Sequence, residues 1–224
     1  MHTGKRGRPR AVPSRRPGIS ARQEILDAAI ESFTTIGYAA TTGRRIAEAV
    51  GIRQASLYHH FANKDDILDA LLTGSLEDSL RLATELQAEA GPTAPRLHTL
   101  MVADTSQLCR GPWNLGSLYL APELRTRQFD AFRRRRADLR TRYRDLSRAV
   151  IAECGGPPES DDLPFRLVES VINRRSDDGS CPPDHHWTIA EGALRTLGCH
   201  TGFIRMRTLT AERLQRQPQL TIVR

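Results

Sequence analysis

The chain has 224 residues, 39% hydrophobic and 26% charged, which suffices for a packed core and for one ordinary domain plus a smaller one. No apolar run approaches the roughly 18 residues of a membrane-spanning helix, and four scattered cysteines, Cys109, Cys154, Cys181 and Cys199, suit free thiols in a reducing cytoplasm better than a secreted scaffold. The net charge of +7 sits almost entirely in the first twenty residues, where Lys5, Arg6, Arg8, Arg10, Arg15 and Arg16 meet no acid, so the favoured partner of that segment is a polyanion.

Residues 1–19 therefore read as a disordered basic arm, too rich in charge, Pro and Gly to bury a core. Arg15-Arg16 is not an export signal, because Pro-Gly-Ile-Ser and charged helix follow it instead of an apolar stretch. Within the arm, "RGRPR" at 6–10 matches the core of an AT-hook. Pro9 favours an extended backbone, Gly7 permits close approach, and Arg6, Arg8 and Arg10 suit a narrow A·T-rich minor groove.

From Ser20 the apolar residues recur at helical spacing, and almost nothing alternates with the period of a strand, so the fold class is all-α. A first helix starts at Ser20, with Ile25, Ala29, Phe33 and Ile36 on one face, and stops at Gly37. A short second helix capped by Thr42 carries Ile46, Ala47 and Val50 to Gly51, and a third begins near Arg53. Asn63 caps a fourth, which runs to Gly91-Pro92. Beyond it come helices over about 96–110, from Pro122-Glu123 to about 154, over 162–174, over 185–197 and over 202–215, with "CRGPWNLG" as a break and 174–184 as a polar loop. Residues 217–224 read as a frayed tail.

The stretch that carries function is "TTGRRIAEAVGIRQASLYHHFANKDDIL", Thr41 to Leu68. Two short helices meet at Gly51, and small Ala47 lets the second sit close to the third, which is a helix-turn-helix whose later helix enters the major groove. There Gln54 suits adenine, Ser56 suits either kind of base, and the Ala55 methyl suits a thymine methyl. Tyr58, His59, His60 and Lys64 are polar or cationic groups suited to phosphates.

These residues, with the preceding "ILDAAIESFTTIGYAATT", closely resemble the TetR-type bacterial transcription regulators. The resemblance implies a DNA-binding domain over 20–66 and a larger helical effector-binding and dimerisation domain over 67–216. It implies a homodimer on a double-stranded, palindromic operator, most simply as a repressor released by a small molecule, with no cofactor. It assigns DNA contact to Thr42, Arg44, Gln54, Ala55, Ser56, Tyr58, His59, His60 and Lys64. It also places the dimer face on the helices over about 162–174 and 185–197, with Leu167, Val171, Ile189, Ala193 and Leu197 as candidates. Two positions depart from the family pattern: Arg53 stands where a capping Ser is usual, which points to a phosphate or guanine contact, and Gly43 stands where a larger residue is common.

Elsewhere the signals are weaker. Ten arginines lie between Arg125 and Arg148, mostly as a solvated face. Arg136 falls in the apolar row between Phe132 and Leu139, so it needs an internal acid, a ligand anion or a snorkelling pose. Trp113, Tyr119, Phe129, Phe132 and Tyr143 supply aromatic surface that can line an effector pocket with it. "CPPDHH" at 181–186 lacks zinc spacing, so no metal is expected, and no nucleophile motif or phosphate loop supports an enzyme. An architectural DNA-binding protein that relies on its basic arm is the alternative reading.

Overall fold

The computed structural model describes residues 20–216, and these divide after Leu68 into two compact units. The basic arm, with Arg6, Arg8 and Arg10, and the tail at 217–224 lie outside the described residues. Among the described residues there are helices and turns and no strand.

The first unit comprises α1 (Ala21–Thr35), α2 (Gly43–Val50), α3 (Gln54–Tyr58) and the start of α4 (Lys64–Ala88). Three of these helices, α1, α2 and α4, start where a short polar side chain supplies an acceptor: Ser20 for the amide of Gln23, Thr42 for Arg45 and Asn63 for Asp66. The inward faces bury Ile25, Ala29, Phe33, Ile46, Ala47, Val50, Leu57 and Phe61. At the end of α2 Gly51 adopts φ 77°, a conformation that favours glycine, and the Ile52 amide returns to the Ala47 carbonyl at 3.0 Å.

The second unit is built around α5 (Thr93–Cys109), which contacts α6 (Asp130–Cys154), α7 (Leu163–Asp178), α8 (His185–Thr196) and α9 (Phe203–Gln215). A helix touched by neighbours on every side is buried all round, and every residue from Leu97 to Ser106 is buried. Its ends are closed by side chains from elsewhere. Glu153 accepts from the Thr93 amide at 3.0 Å and from its hydroxyl at 2.6 Å, so α5 begins three residues before the expected Arg96. Arg175 donates to the carbonyls of Leu108, Arg110, Gly111 and Trp113 beyond the other end.

Two other boundaries differ from the sequence reading. The long helix begins at Asp130, not near Pro122; residues Pro122–Arg125 and Arg127–Phe129 form separate 3-10 turns. The chain bends there to bury Leu124 and Phe129, and Arg133 holds the bend by donating to the Leu124 and Thr126 carbonyls. The helix expected to end at Arg174 continues to Asp178, because Arg175 is buried in its task at the end of α5, and Gly179 at φ 76° then stops it.

Candidate nucleic-acid interface and ligand cavity

The third helix is only five residues long, and Leu57 alone anchors it, with no solvent exposure. Around that anchor Arg53, Gln54, Ala55, Tyr58, His59 and His60 are exposed and Ser56 is half-buried, so one short helix offers a continuous polar surface. On α2, Thr42 and Arg44 are exposed as well, and Arg44 Nε donates to Glu48 at 2.8 Å in a solvated pair. An exposed pair of that kind is weak enough for a phosphate to displace the carboxylate.

Lys64 departs from its expected place. Its ammonium donates to the carbonyls of Tyr38 at 2.8 Å and Thr41 at 3.0 Å and lies 4.1 Å from the Tyr38 ring centroid, inside the unit. It holds the segment before α2 against the start of α4 instead of facing outward. Arg53 occupies the N-cap of α3 and forms no side-chain cap. Gly43 has a steric meaning that the sequence hid: a Cβ there would lie 2.7 Å from the Tyr58 hydroxyl, so glycine leaves the Tyr58 ring its room.

The second unit holds a cavity of about 70 Å³ between α4, α5, α6 and α7. Trp113, Tyr119 and Arg136 line it together with Ser79, Asp104, Gln107, Glu169 and Arg175, the last five not among the residues singled out from the sequence. Tyr119 and Arg136 also line an outer groove with Phe132, Arg125, Arg133 and Arg140. Phe129 and Tyr143 do not line the cavity; they are 2% and 0% exposed and belong to the core.

Arg136 has an internal partner: its Nε and Nη2 reach the two oxygens of Glu169 at 2.7 and 2.5 Å, a bidentate pair. The same face of α6 continues with Arg140 on Asp162 and with Arg144 and Arg148 on Asp161. Much of the arginine run is thus a ladder onto the neighbouring segment and not simply a solvated face. Asp104 is the other notable group. It is buried, Tyr143 donates to its Oδ2 at 2.6 Å, and burial pushes its carboxyl up to about 6.

The dimer candidates divide. Val171, Ala193 and Leu197 are 0% exposed within the protomer and cannot meet a partner, whereas Leu167 and Ile189 are partly exposed. The apolar row of a helix marks the side facing its own core.

A family model described as bacterial regulatory proteins of the tetR family matches residues 25–71. The HTH-type transcriptional repressor KstR2 of Rhodococcus jostii is 40% identical over 80 residues, covering 36% of this chain and 39% of that protein. The repressor AcnR of Corynebacterium diphtheriae is 41% identical over 70 residues, covering 31% and 35%. The matches thus span well under half the length of these curated relatives. Over almost its whole length the chain is similar to the crystal structure of Mycobacterium smegmatis AmtR, with 65% identity, a TM-score of 0.88, and coverage of 90% of this chain and 98% of that one. The ketosteroid transcriptional regulator KstR2 of Mycobacterium tuberculosis follows the same fold at 26% identity and TM-score 0.66, covering 81% and 95%.

Proposed function

Because the chain belongs to the TetR family of DNA-binding bacterial transcription regulators, we propose that it acts in the cytoplasm as a homodimeric repressor on a palindromic operator, and that a small molecule in the C-terminal unit releases it. The observation that carries this reading is α3, anchored by Leu57 and otherwise directed outward, with Gln54, Ala55 and Ser56 on its first turn. In this reading those three address base edges, while Thr42, Arg44, Arg53, Tyr58, His59 and His60 address the backbone. Residues 20–66 form the reading head and 67–216 the sensing and pairing domain. The arm residues Arg6, Arg8 and Arg10 add a minor-groove grip. The similarity to KstR2 and AcnR, both repressors, favours repression over activation.

Partner contact is assigned to the outward faces of α7 and α8. Leu167 and Ile189 lie partly exposed there, and Gly192 has nothing within 4 Å of where a Cβ would stand, which leaves space for a second backbone.

The test uses fluorescence anisotropy on duplexes from the intergenic region next to the coding gene. Gln54→Ala is expected to weaken the specific site by about 1–3 kcal/mol and to leave random DNA unaffected. Equal weakening on both duplexes would remove Gln54 from base reading. A screen of a chemically broad metabolite library for compounds that stabilise the protein and weaken operator binding tests the sensing half.

Arg53 permits a separate check. Arg53→Ser supplies the missing cap and is expected to raise stability by about 1 kcal/mol in thermal denaturation, while operator affinity falls several-fold because a cation near the phosphates is lost. A stabilised variant with unchanged affinity would leave Arg53 without a role on DNA.

A further inference from the structure

The cavity wall carries two buried charges, Asp104 and Arg175, that form no ion pair with an opposite charge among the described residues. Asp104 is 6% exposed, and it is served by the Tyr143 hydroxyl and the Ser79 hydroxyl. Neither is a cation, and no arginine or lysine forms an ion pair with Asp104 among the described residues. Arg175 is 7% exposed. Its terminal nitrogens donate to four backbone carbonyls, at 2.7 Å to Leu108, 2.8 Å to Gly111, 3.2 Å to Trp113 and 3.3 Å to Arg110. Its Nε is buried without a partner, and no carboxylate pairs with it among the described residues. The remaining ion pair of the wall, Arg136 with Glu169, is bidentate, and Arg166 lies 3.9 Å from the same carboxylate.

A buried charge without an opposite charge is expensive, and a ligand that brings one relieves that cost. The two sites lie close along α5. Asp104 stands one turn before Leu108, whose carbonyl Arg175 grips, and four residues of helix rise about 6 Å. The wall also carries apolar surface from Leu76, Leu139, Phe165 and Val168.

Resting on the reading that this cavity takes the effector, we propose that the effector is a small organic zwitterion, with its ammonium group received by Asp104 and its carboxylate by Arg175. An apolar body of a few carbons bridges the two ends. Neither a simple fatty acid nor a simple amine meets both charges, so the cavity selects against each.

The experiment is calorimetry and thermal shift on the full chain with 4-aminobutanoate, 6-aminohexanoate and 8-aminooctanoate, against hexanoate and hexylamine. At least one amino acid is expected to bind tenfold or more tightly than both singly charged compounds and to weaken operator binding. In Asp104→Asn its advantage over hexanoate should fall to within about twofold. In Arg175→Gln its advantage over hexylamine should be lost. Arg175→Lys, which keeps the charge but not the fork, is the substitute should Arg175→Gln fail to fold, with reduced selectivity expected. Equal binding of the singly charged compounds, no binding by any amino acid of the series, or unaltered selectivity in Asp104→Asn overturns the zwitterion. The effector reading is judged separately: a compound from the broad library that releases operator but lacks one of the two charges defeats only the zwitterion, whereas no releasing compound at all defeats the sensing role.

Discussion

Gly156→Ala is expected to destabilise the second unit by about 4 kcal/mol or more, an effect in the range reserved for the most disruptive substitutions. A Cβ on Gly156 would stand 2.2 Å from the carbonyl oxygen of Leu197, 2.3 Å from its carbonyl carbon and 2.8 Å from the Gly198 nitrogen. All three are backbone atoms, so no rotamer change can clear them. The approach is reciprocal, since a Cβ on Gly198 would lie 2.7 Å from the Gly156 nitrogen, and Gly198 itself sits at φ 84°. Here the segment after α6 crosses the end of α8 with no room for side chains. The neighbouring Gly155 is the control. It caps α6 at φ 76° with nothing within 4 Å of its missing Cβ, so Gly155→Ala meets only the left-handed penalty of about 1 kcal/mol. Thermal denaturation of the two variants should differ by about 10 °C. Similar melting temperatures would show that the crossing opens freely.

The order of helices was legible because period and punctuation agree in this chain: Ser20, Thr42 and Asn63 each stand at a helix start and do cap there. The reading failed where a distant side chain decides the boundary. Nothing local reveals that Glu153 closes the start of α5, or that Arg133 holds Leu124 and Phe129 in turns that residue type would allow to be helix. The exposure of Gln54, Ala55 and Tyr58 on α3 could be read from a compact motif, since one buried leucine anchors the five-residue helix. The cavity could not, because its polar groups come from α4, α5, α6 and α7, far apart in sequence. One signal was available in "HTLMVADTSQLC": an aspartate in the middle of a strongly apolar helix marks a buried charge and asks for a partner. Apolar rows misled in the opposite direction, since Val171, Ala193 and Leu197 proved to be core and not partner surface.

Asp104 also leads to the second large expectation, because a carboxylate held in the core at neutral pH opposes folding. Burial raises it to about 6 against an ordinary value of 3.8, so the fold binds its proton more tightly than the unfolded chain does. The resulting stability is complete below about pH 4 and is lost as pH rises through 6. A carboxyl moved that far corresponds to about 3 kcal/mol at most. Asp104→Asn, which keeps an acceptor for Tyr143, is therefore expected to be more stable than the wild type at pH 7.5 by up to that amount. The advantage should shrink through pH 6 and vanish near pH 4. His98 runs against it over the same window. It is 0% exposed, its Nδ1 meets the Thr210 hydroxyl at 2.8 Å, its Nε2 has no partner, and burial lowers it from 6.5 to about 4, with Arg207 and His186 adding to the fall and Glu191 opposing it. For a histidine shifted downward, stability is present above pH 6.5 and lost as pH falls towards 4. In the wild type the aspartate gains on acidification while His98 loses, as do His185 and His186, which burial also lowers, so Asp104 makes the acid loss between pH 6 and 4.5 shallower. Asp104→Asn removes that gain and should show a steeper acid loss across that interval. Asp162, held low first by its hydrogen bonds from Arg140, titrates below this range and does not blur it. Chemical denaturation at half-unit pH steps checks both curves, and parallel profiles for the two proteins would show that Asp104 does not titrate in the fold as its burial requires.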